Sequence, residues 1–92
     1  MSDTIIVPDG SLNFETISEF KNCMNRHGEV IFCWNGKEYS ITHYCGKISI
    51  AESYKQETEM FFTTADEVLT YMLDNVSLRD VITQVRVLAR TV

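Results

Sequence analysis

The sequence predicts an α+β domain, with a small antiparallel sheet of three to five strands and two main helices packed on one face. Three observations support this prediction. They are an amphipathic helical pattern early in the chain, tight-turn signals between alternating segments, and a capping box before a later apolar run. The length of 92 residues suits a single domain, which we expect to span residues 1–92.

Composition and charge limit the classes of function. With 45% hydrophobic and 23% charged residues, the chain is typical of a globular protein. The formal net charge of −5 disfavours direct nucleic-acid binding, because phosphates would be repelled. The sign of the charge fits either a soluble protein or a protein whose partner is basic, and net charge alone does not separate the two. The N-terminal stretch MSDTIIVPDG lacks the basic flank and apolar centre of a signal peptide. We therefore expect a cytoplasmic protein that does not contact membranes.

The N-terminal region predicts a short strand, a turn and the first helix. Residues 4–7 can form the strand, and residues 8–10, PDG, indicate the turn. Residues 11–28 follow a helical pattern. The apolar stripe of that helix consists of Phe14, Ile17, Phe20 and Met24, with Cys23 beside them.

Both ends of this helix carry capping signals. Ser11 or Asn13 can cap its start, because a short polar side chain accepts a hydrogen bond from a free backbone N–H. Gly28 suits the left-handed position that ends many helices. His27 lies in the last turn, where positive charge meets the helix dipole. We therefore interpret His27 as a helix-end residue rather than a catalytic residue or a metal ligand.

The dipeptide Asn35-Gly36 predicts a hairpin, because a type I′ turn needs positive φ at both central residues. A two-residue loop there opposes Trp34 to Lys37, Phe32 to Tyr39, and Val30 to Ile41. One face then carries Val30, Phe32, Trp34, Tyr39, Ile41 and His43. The other carries Ile31, Cys33, Glu38, Ser40 and Thr42. This alternation is typical of a sheet with one buried face.

A second tight turn at Cys45-Gly46 would add a third strand. It opposes His43 to Ile48 and Ile41 to Ile50. Both isoleucines then join the apolar face that the first turn defines. Two independent turn signals thus predict the same buried face.

The cysteines and histidines do not form a recognisable ligand set. Three cysteines, with no C-x-x-C pair, predict free thiols. Cys33 and His43 fall on opposite faces of the predicted sheet and Cys45 falls in a turn, whereas zinc needs about four converging ligands. Cys45 and His43 are the one pair close enough to consider for nucleophilic catalysis. We expect no metal, no cofactor and no catalytic residue.

The C-terminal half predicts a strand, two helices and a final strand. Residues 57–63 suggest the strand, and Thr64 with Glu67 forms a capping box that opens a helix ending at residues 74–75. Its inward residues would be Val68, Leu69, Met72 and Leu73, with Tyr71 at the edge. Ser77 would cap a short helix that buries Leu78, Val81 and Ile82. Residues 84–92 alternate as in a strand, with a continuing helix from Ser77 as the alternative.

Three motifs, EVIFCWNGKEYSIT, TADEVL and SLRDVI, follow one another between residues 13 and 87. In this order they resemble small uncharacterised proteins encoded by Firmicutes and their phages or mobile elements. The resemblance implies a fold with an N-terminal helix, a hairpin, a second helix and a terminal strand. It implies no catalytic residue.

Three classes of function are compatible with these observations. The first is a non-enzymatic interaction protein of the accessory or inhibitor kind, with anti-CRISPR-like inhibition as one special case. The second is a structural or oligomeric module that pairs through an edge strand, for which the C-terminal strand is the candidate. The third is an enzyme, which is disfavoured because no phosphate loop, paired-histidine motif or nucleophile elbow is present in the sequence.

Four acidic residues are the candidate protein-binding site: Glu57, Glu59, Asp66 and Glu67. In a strand over residues 57–62, the two glutamates would share one face with Phe61, and Thr58, Met60 and Phe62 would share the other. The functional interpretation is a patch that attracts Lys or Arg side chains of a partner. The structural interpretation is that Glu67 closes the capping box, Asp66 favours the helix dipole, and the strand glutamates keep their face hydrated.

Overall fold

A computed structural model of the chain describes residues 5–6 and 12–91. The strands are β1 (Ile5–Ile6), β2 (Val30–Trp34), β3 (Lys37–Tyr44), β4 (Lys47–Glu52), β5 (Met60–Phe62), β6 (Met72–Leu73), β7 (Val76–Ser77) and β8 (Arg86–Arg90). The α-helices are α1 (Ile17–Asn25), α2 (Ala65–Val68) and α3 (Leu78–Val81), and a 3-10 turn covers Gln56–Thr58. The predicted turn at residues 8–10, residues 4 and 7 of the predicted strand, and the cap at Ser11 lie outside the described residues.

The main sheet confirms the predicted α+β class. Its strand order is β1-β8-β2-β3-β4-β5, and every pairing in it is antiparallel. Five of these strands have three or more residues, and the two-residue β1 is added at one edge. Strands β6 and β7 form a separate hairpin.

Both predicted turns and their registers are confirmed. Asn35 and Gly36 have φ of 53° and 79°, and Cys45 and Gly46 have φ of 52° and 78°, as type I′ turns require. The first turn pairs Val30 with Ile41, Phe32 with Tyr39, and Trp34 with Lys37. The second pairs His43 with Ile48 and Ile41 with Ile50.

The predicted buried face of the sheet forms the core together with the helices. One hydrophobic cluster joins this face to buried residues of all three helices. Its fully buried side chains include Phe14, Phe20, Phe32, Ile41, Ile50, Leu69, Leu73, Leu78 and Ile82. The other face of the sheet points away from the helices, and we call it the open face.

Helix α1 begins later than either predicted cap. Thr16 is the N-cap, and its hydroxyl accepts a hydrogen bond from the Glu19 N–H at 3.0 Å. Asn13 serves a different purpose, because its Oδ1 accepts a hydrogen bond from the Val87 N–H of β8 at 2.8 Å. Asn13 therefore ties the segment before the helix to the sheet.

The end of α1 also differs from the prediction by one residue. His27, with φ of 60°, occupies the left-handed position, and no positive φ is found at Gly28. The His27 N–H donates to the Met24 carbonyl and the Gly28 N–H donates to the Cys23 carbonyl, which is the Schellman pattern with His27 at C′. Gly28 is needed for space, because a Cβ there would overlap the Thr91 carbonyl oxygen and Cys23 Sγ.

The predicted strand over residues 57–63 is shorter than expected. Glu57 lies in the 3-10 turn, so the prediction that Glu57 and Glu59 share a strand face is wrong. The Thr58 hydroxyl fixes this turn, because it accepts from the Glu52 N–H and donates to the Lys55 carbonyl. Strand formation therefore starts only at Met60.

The prediction of a long helix after Thr64 is wrong beyond the first turn of that helix. Helix α2 ends at Val68, and the β6–β7 hairpin follows, with Asp74 at φ of 63° in its turn. Because side chains alternate in a hairpin, Leu73 is buried and Met72 is 53% exposed. Tyr71, predicted at an edge, is buried.

The predicted short helix and final strand are confirmed, whereas the predicted Ser77 cap and the predicted edge position are wrong. Helix α3 buries Leu78 and Val81, although the Ser77 side chain makes no capping hydrogen bond. Strand β8 excludes the alternative of a continuing helix. It lies between β1 and β2, so the C-terminal strand is not an edge of the sheet, and that prediction is wrong. No helix within residues 5–6 and 12–91 is long and apolar enough to cross a membrane.

Candidate functional site

The four predicted acidic residues lie at the two ends of β5 rather than in one continuous patch. Glu57 and Glu59 precede the strand, in the 3-10 turn and directly after it. Asp66 and Glu67 follow the strand, in the first turn of α2. All four side chains are exposed. Strand β5 is therefore the element that connects them.

The pair in α2 is engaged within the chain. Asp66 forms ion pairs with Lys21 of α1 at 3.0 Å and with Arg79 of α3 at 3.7 Å. The Glu67 carboxylate accepts from the Thr63 hydroxyl at 2.5 Å and from the Thr63 N–H at 2.9 Å. These two bonds lower the pKa of Glu67, and the Thr64 hydroxyl accepts from the Glu67 N–H as the capping box predicts.

The pair before β5 is less constrained. The Glu59 carboxylate accepts a short hydrogen bond from the Ser49 hydroxyl of β4, on the open face. The Glu57 side chain makes no hydrogen bond or ion pair with any residue in the described part of the chain. Glu57 and Glu59 are therefore the two members of the predicted site whose charges are best placed to meet a partner.

Strand β5 is an edge strand with apolar side chains exposed on both of its faces. It pairs with β4, and the strand order of the main sheet ends there. On the open face, Phe61 lies across from Ser49 and is 47% exposed. On the helix side, Met60 is 52% exposed. Natural edge strands are usually short or charged to prevent pairing with other chains, and β5 is short but apolar.

A groove lies beside this edge on the helix side. It has a volume of about 410 Å³ and is bounded by β5 on one side and by residues 70–72 on the other. Its lining residues are Glu57, Thr58, Met60, Phe62, Thr70, Tyr71 and Met72. We call it the β5 groove. Methionine side chains suit adaptable contacts, because the thioether is polarisable and the side chain has several rotatable bonds.

Tyr71 lines the β5 groove and connects its two sides. Its hydroxyl donates to the Thr58 carbonyl at 3.0 Å, while its ring is buried. Burial raises the pKa of the Tyr71 phenol. This bond connects the segment after α2 to the 3-10 turn and so fixes the two walls of the groove relative to each other.

A second cluster combines both histidines with the turn cysteine. The rings of His27 and His43 lie 5.3 Å apart between centroids, and His43 Nε2 donates to the Gly28 carbonyl at 2.9 Å. Cys45 lines the same shallow depression of about 230 Å³. Among residues 5–6 and 12–91, no group of three or more His, Cys, Asp or Glu side chains is placed to hold a metal ion.

The three cysteines are free thiols, as predicted. Cys23 is buried, and burial raises the pKa of its thiol. Cys33 lies on the open face across from Glu38, whereas His43 lies on the core side of β3, so the prediction that they point to opposite faces is confirmed.

The sequence pattern does not reveal the groove, because its helical spacing places Tyr71 and Met72 in a helix. The signal that could have located the groove is Asp74-Asn75, which suits a helix end but forms a hairpin turn. Comparison with known proteins adds no identification: no family model, no curated protein and no solved structure matches the chain. The resemblance to proteins of Firmicutes and their phages stays a prediction.

Proposed function

We propose that this protein is a small non-enzymatic interaction protein that binds a basic protein partner in the cytoplasm. Its contact region would be the β5 surface, which we define as Glu57, Glu59, Met60, Phe61 and Met72. The observation that carries the proposal is the exposure of about half of each of the three apolar side chains, namely 52%, 47% and 53%, next to two acidic residues. Exposed apolar patches with a charged rim are typical of protein–protein contacts.

The charge of the chain supports the choice of a basic partner. A net charge of −5 attracts positively charged surfaces over long range, and local carboxylates then form charge-assisted bonds with Lys or Arg. An accessory or inhibitor protein of a phage or mobile element would act in this way. Anti-CRISPR-like occupation of a basic nucleic-acid groove is one special case of the same mechanism.

Affinity capture with mass spectrometry tests the proposal when three forms of the protein are compared. We expect wild type to retain a stoichiometric basic protein, and the double variant Glu57→Lys/Glu59→Lys to lose it. The matched control is Glu15→Lys/Glu29→Lys, which reverses two exposed charges outside the β5 surface. Equal recovery from all three forms would contradict the proposal.

A second candidate function is self-association through an edge strand. The observation that favours it is the outer edge of β5, which pairs with no other strand in the described part of the chain. Light scattering coupled to size-exclusion chromatography distinguishes the two functions. A dimer that Phe61→Lys converts to a monomer would support the second one.

A further inference from the structure

We propose that the partner contributes an extended segment of alternating basic and apolar residues, which pairs as an additional strand with the outer edge of β5. This inference rests on the proposed function and specifies its binding mode. Strand addition obtains affinity from backbone hydrogen bonds, and specificity from the sites that receive alternate side chains. Strand β5 offers both free backbone groups and sites for alternate side chains.

The backbone of β5 has hydrogen-bonding capacity left on its outer side. The hydrogen bonds of Met60–Phe62 within the described chain are those of its pairing with β4. Each residue of a strand directs its N–H and C=O toward one neighbour or the other, so an edge strand leaves a set of these groups without a strand partner. An added strand would satisfy them.

One face of an added strand would meet apolar surface. Met60 and Phe62 point to the same side as their cross-strand partners Ile50 and Ile48, which is the helix side. The β5 groove lies on that side, with Met72 as its opposite wall. Alternate residues of the partner segment would therefore insert apolar side chains into the groove.

The other face of an added strand would meet a carboxylate beside an aromatic ring. Glu59 and Phe61 are two residues apart, so both lie toward the open face, where Ser49 holds the Glu59 carboxylate. A Lys or Arg side chain at this position can pair with the carboxylate and lie against the exposed Phe61 ring. Glu57, which lines the groove, offers a second carboxylate.

The same charges favour a basic partner over a second copy of this chain. Antiparallel pairing of two β5 strands would bring Glu57 and Glu59 of one copy toward Asp66 and Glu67 of the other. Lys21 and Arg79 neutralise Asp66, but the three remaining carboxylates would repel one another. A basic segment turns each of these repulsions into an attraction.

The experiment uses the full chain, isotope-labelled for NMR, and short synthetic peptides as probes. The first peptide alternates Lys and Leu, the second alternates Glu and Leu, and the third is the Lys–Leu peptide with N-methylated backbone amides. We expect the first peptide at millimolar concentration to shift the amide signals of Met60–Phe62 and the methyl signals of Met60 and Met72. The Glu–Leu peptide and the N-methylated Lys–Leu peptide should each bind at least tenfold more weakly than the first peptide. Glu57→Lys/Glu59→Lys should weaken the first peptide about tenfold, and Glu15→Lys/Glu29→Lys should leave its binding unchanged.

The outcomes separate the binding mode from the proposed function. Equal binding of the N-methylated peptide, or no shift at β5 with the Lys–Leu peptide, overturns strand addition. The proposed function survives either result if the captured basic protein still requires Glu57 and Glu59. Capture that is insensitive to those glutamates overturns the proposed function. A homodimer whose β5 amides are protected from exchange overturns the choice of a basic segment as the occupant.

Discussion

The Tyr71 hydroxyl donates a hydrogen bond to the Thr58 carbonyl at 3.0 Å, and both residues line the groove beside β5. Two segments that are not neighbours in the sequence thereby form one surface. The bond joins the 3-10 turn to the residues after α2, with β5 and α2 between them in the sequence. The groove thus depends on a contact that the sequence pattern did not indicate.

Replacing Tyr71 with Phe should destabilise the protein by about 0.5–1.5 kcal/mol, because the partly buried Thr58 carbonyl loses its donor while the ring packing is kept. Urea unfolding followed by circular dichroism measures the change. Tyr54→Phe is the matched control, since Tyr54 is fully exposed, and its effect should stay within about 0.5 kcal/mol. Indistinguishable stabilities of the two variants would refute the structural role of the bond.

Phe32 tests the assignment of the buried face. It is 0% exposed and stacks on Tyr39 with ring centroids 5.3 Å apart, so Phe32→Ala should cost about 3–5 kcal/mol. Phe61→Ala removes the same side chain from the open face, where it is 47% exposed, and should cost about 1 kcal/mol or less. Urea unfolding midpoints of both variants give the comparison. A loss below about 1 kcal/mol for Phe32→Ala would contradict the face assignment.

The sequence was sufficient for the part of the fold that local rules determine. Asn35-Gly36 and Cys45-Gly46 each require positive φ, and a turn of fixed length sets the register of every pair in β2, β3 and β4. The capping box at Thr64 is likewise a local signal, and its hydrogen bond is present.

The prediction failed where distant contacts decide the structure. The spacing of Val68, Leu69 and Met72 fits a helix, but the chain leaves the helix after Val68. The Arg79 N–H donates to the Leu69 carbonyl at 2.9 Å, and the Leu78 N–H donates to the Tyr71 carbonyl at 2.8 Å. These bonds replace those of a continued helix, and they join residues whose proximity cannot be read from periodicity. Met72 is exposed at the groove for this reason, so the candidate site could only be predicted in part.

His27 and Gly28 should respond to substitution with opposite signs. His27→Gly should stabilise the protein by up to about 1 kcal/mol, because a left-handed φ of 60° strains a residue with a Cβ. Gly28→Ala should destabilise it by roughly 1–3 kcal/mol, because the new methyl group would overlap the Thr91 carbonyl oxygen and Cys23 Sγ. Thermal and urea unfolding measure both changes.

Gly46→Ala is the control for the two substitutions at His27 and Gly28, because it measures backbone strain without steric overlap. Gly46 has φ of 78°, and the space that a methyl group would occupy there is open, so its substitution adds strain alone and should cost about 1 kcal/mol. Stabilisation by Gly28→Ala would contradict the predicted steric overlap at Gly28. Destabilisation by His27→Gly beyond the loss of its ring contacts with His43 would contradict the left-handed conformation of His27.

Glu19 should make part of the stability depend on pH. Its carboxylate accepts from the Glu15 N–H at 2.8 Å and from Arg90 at 2.9 Å, and these bonds, in that order of importance, lower the pKa of Glu19 below 4.5. Because the folded-state pKa is the lower one, the stabilisation is present above pH 4.5 and is lost as pH falls from there through the folded-state pKa. Glu19→Gln should therefore lose less stability than wild type between neutral pH and about pH 3.

Urea midpoints across this range measure the difference, and Glu57→Gln, whose side chain has no partner in the described chain, should follow wild type. Parallel acid profiles for wild type and Glu19→Gln would show that the contacts between α1 and β8 through Glu19 and Arg90 do not contribute to acid sensitivity.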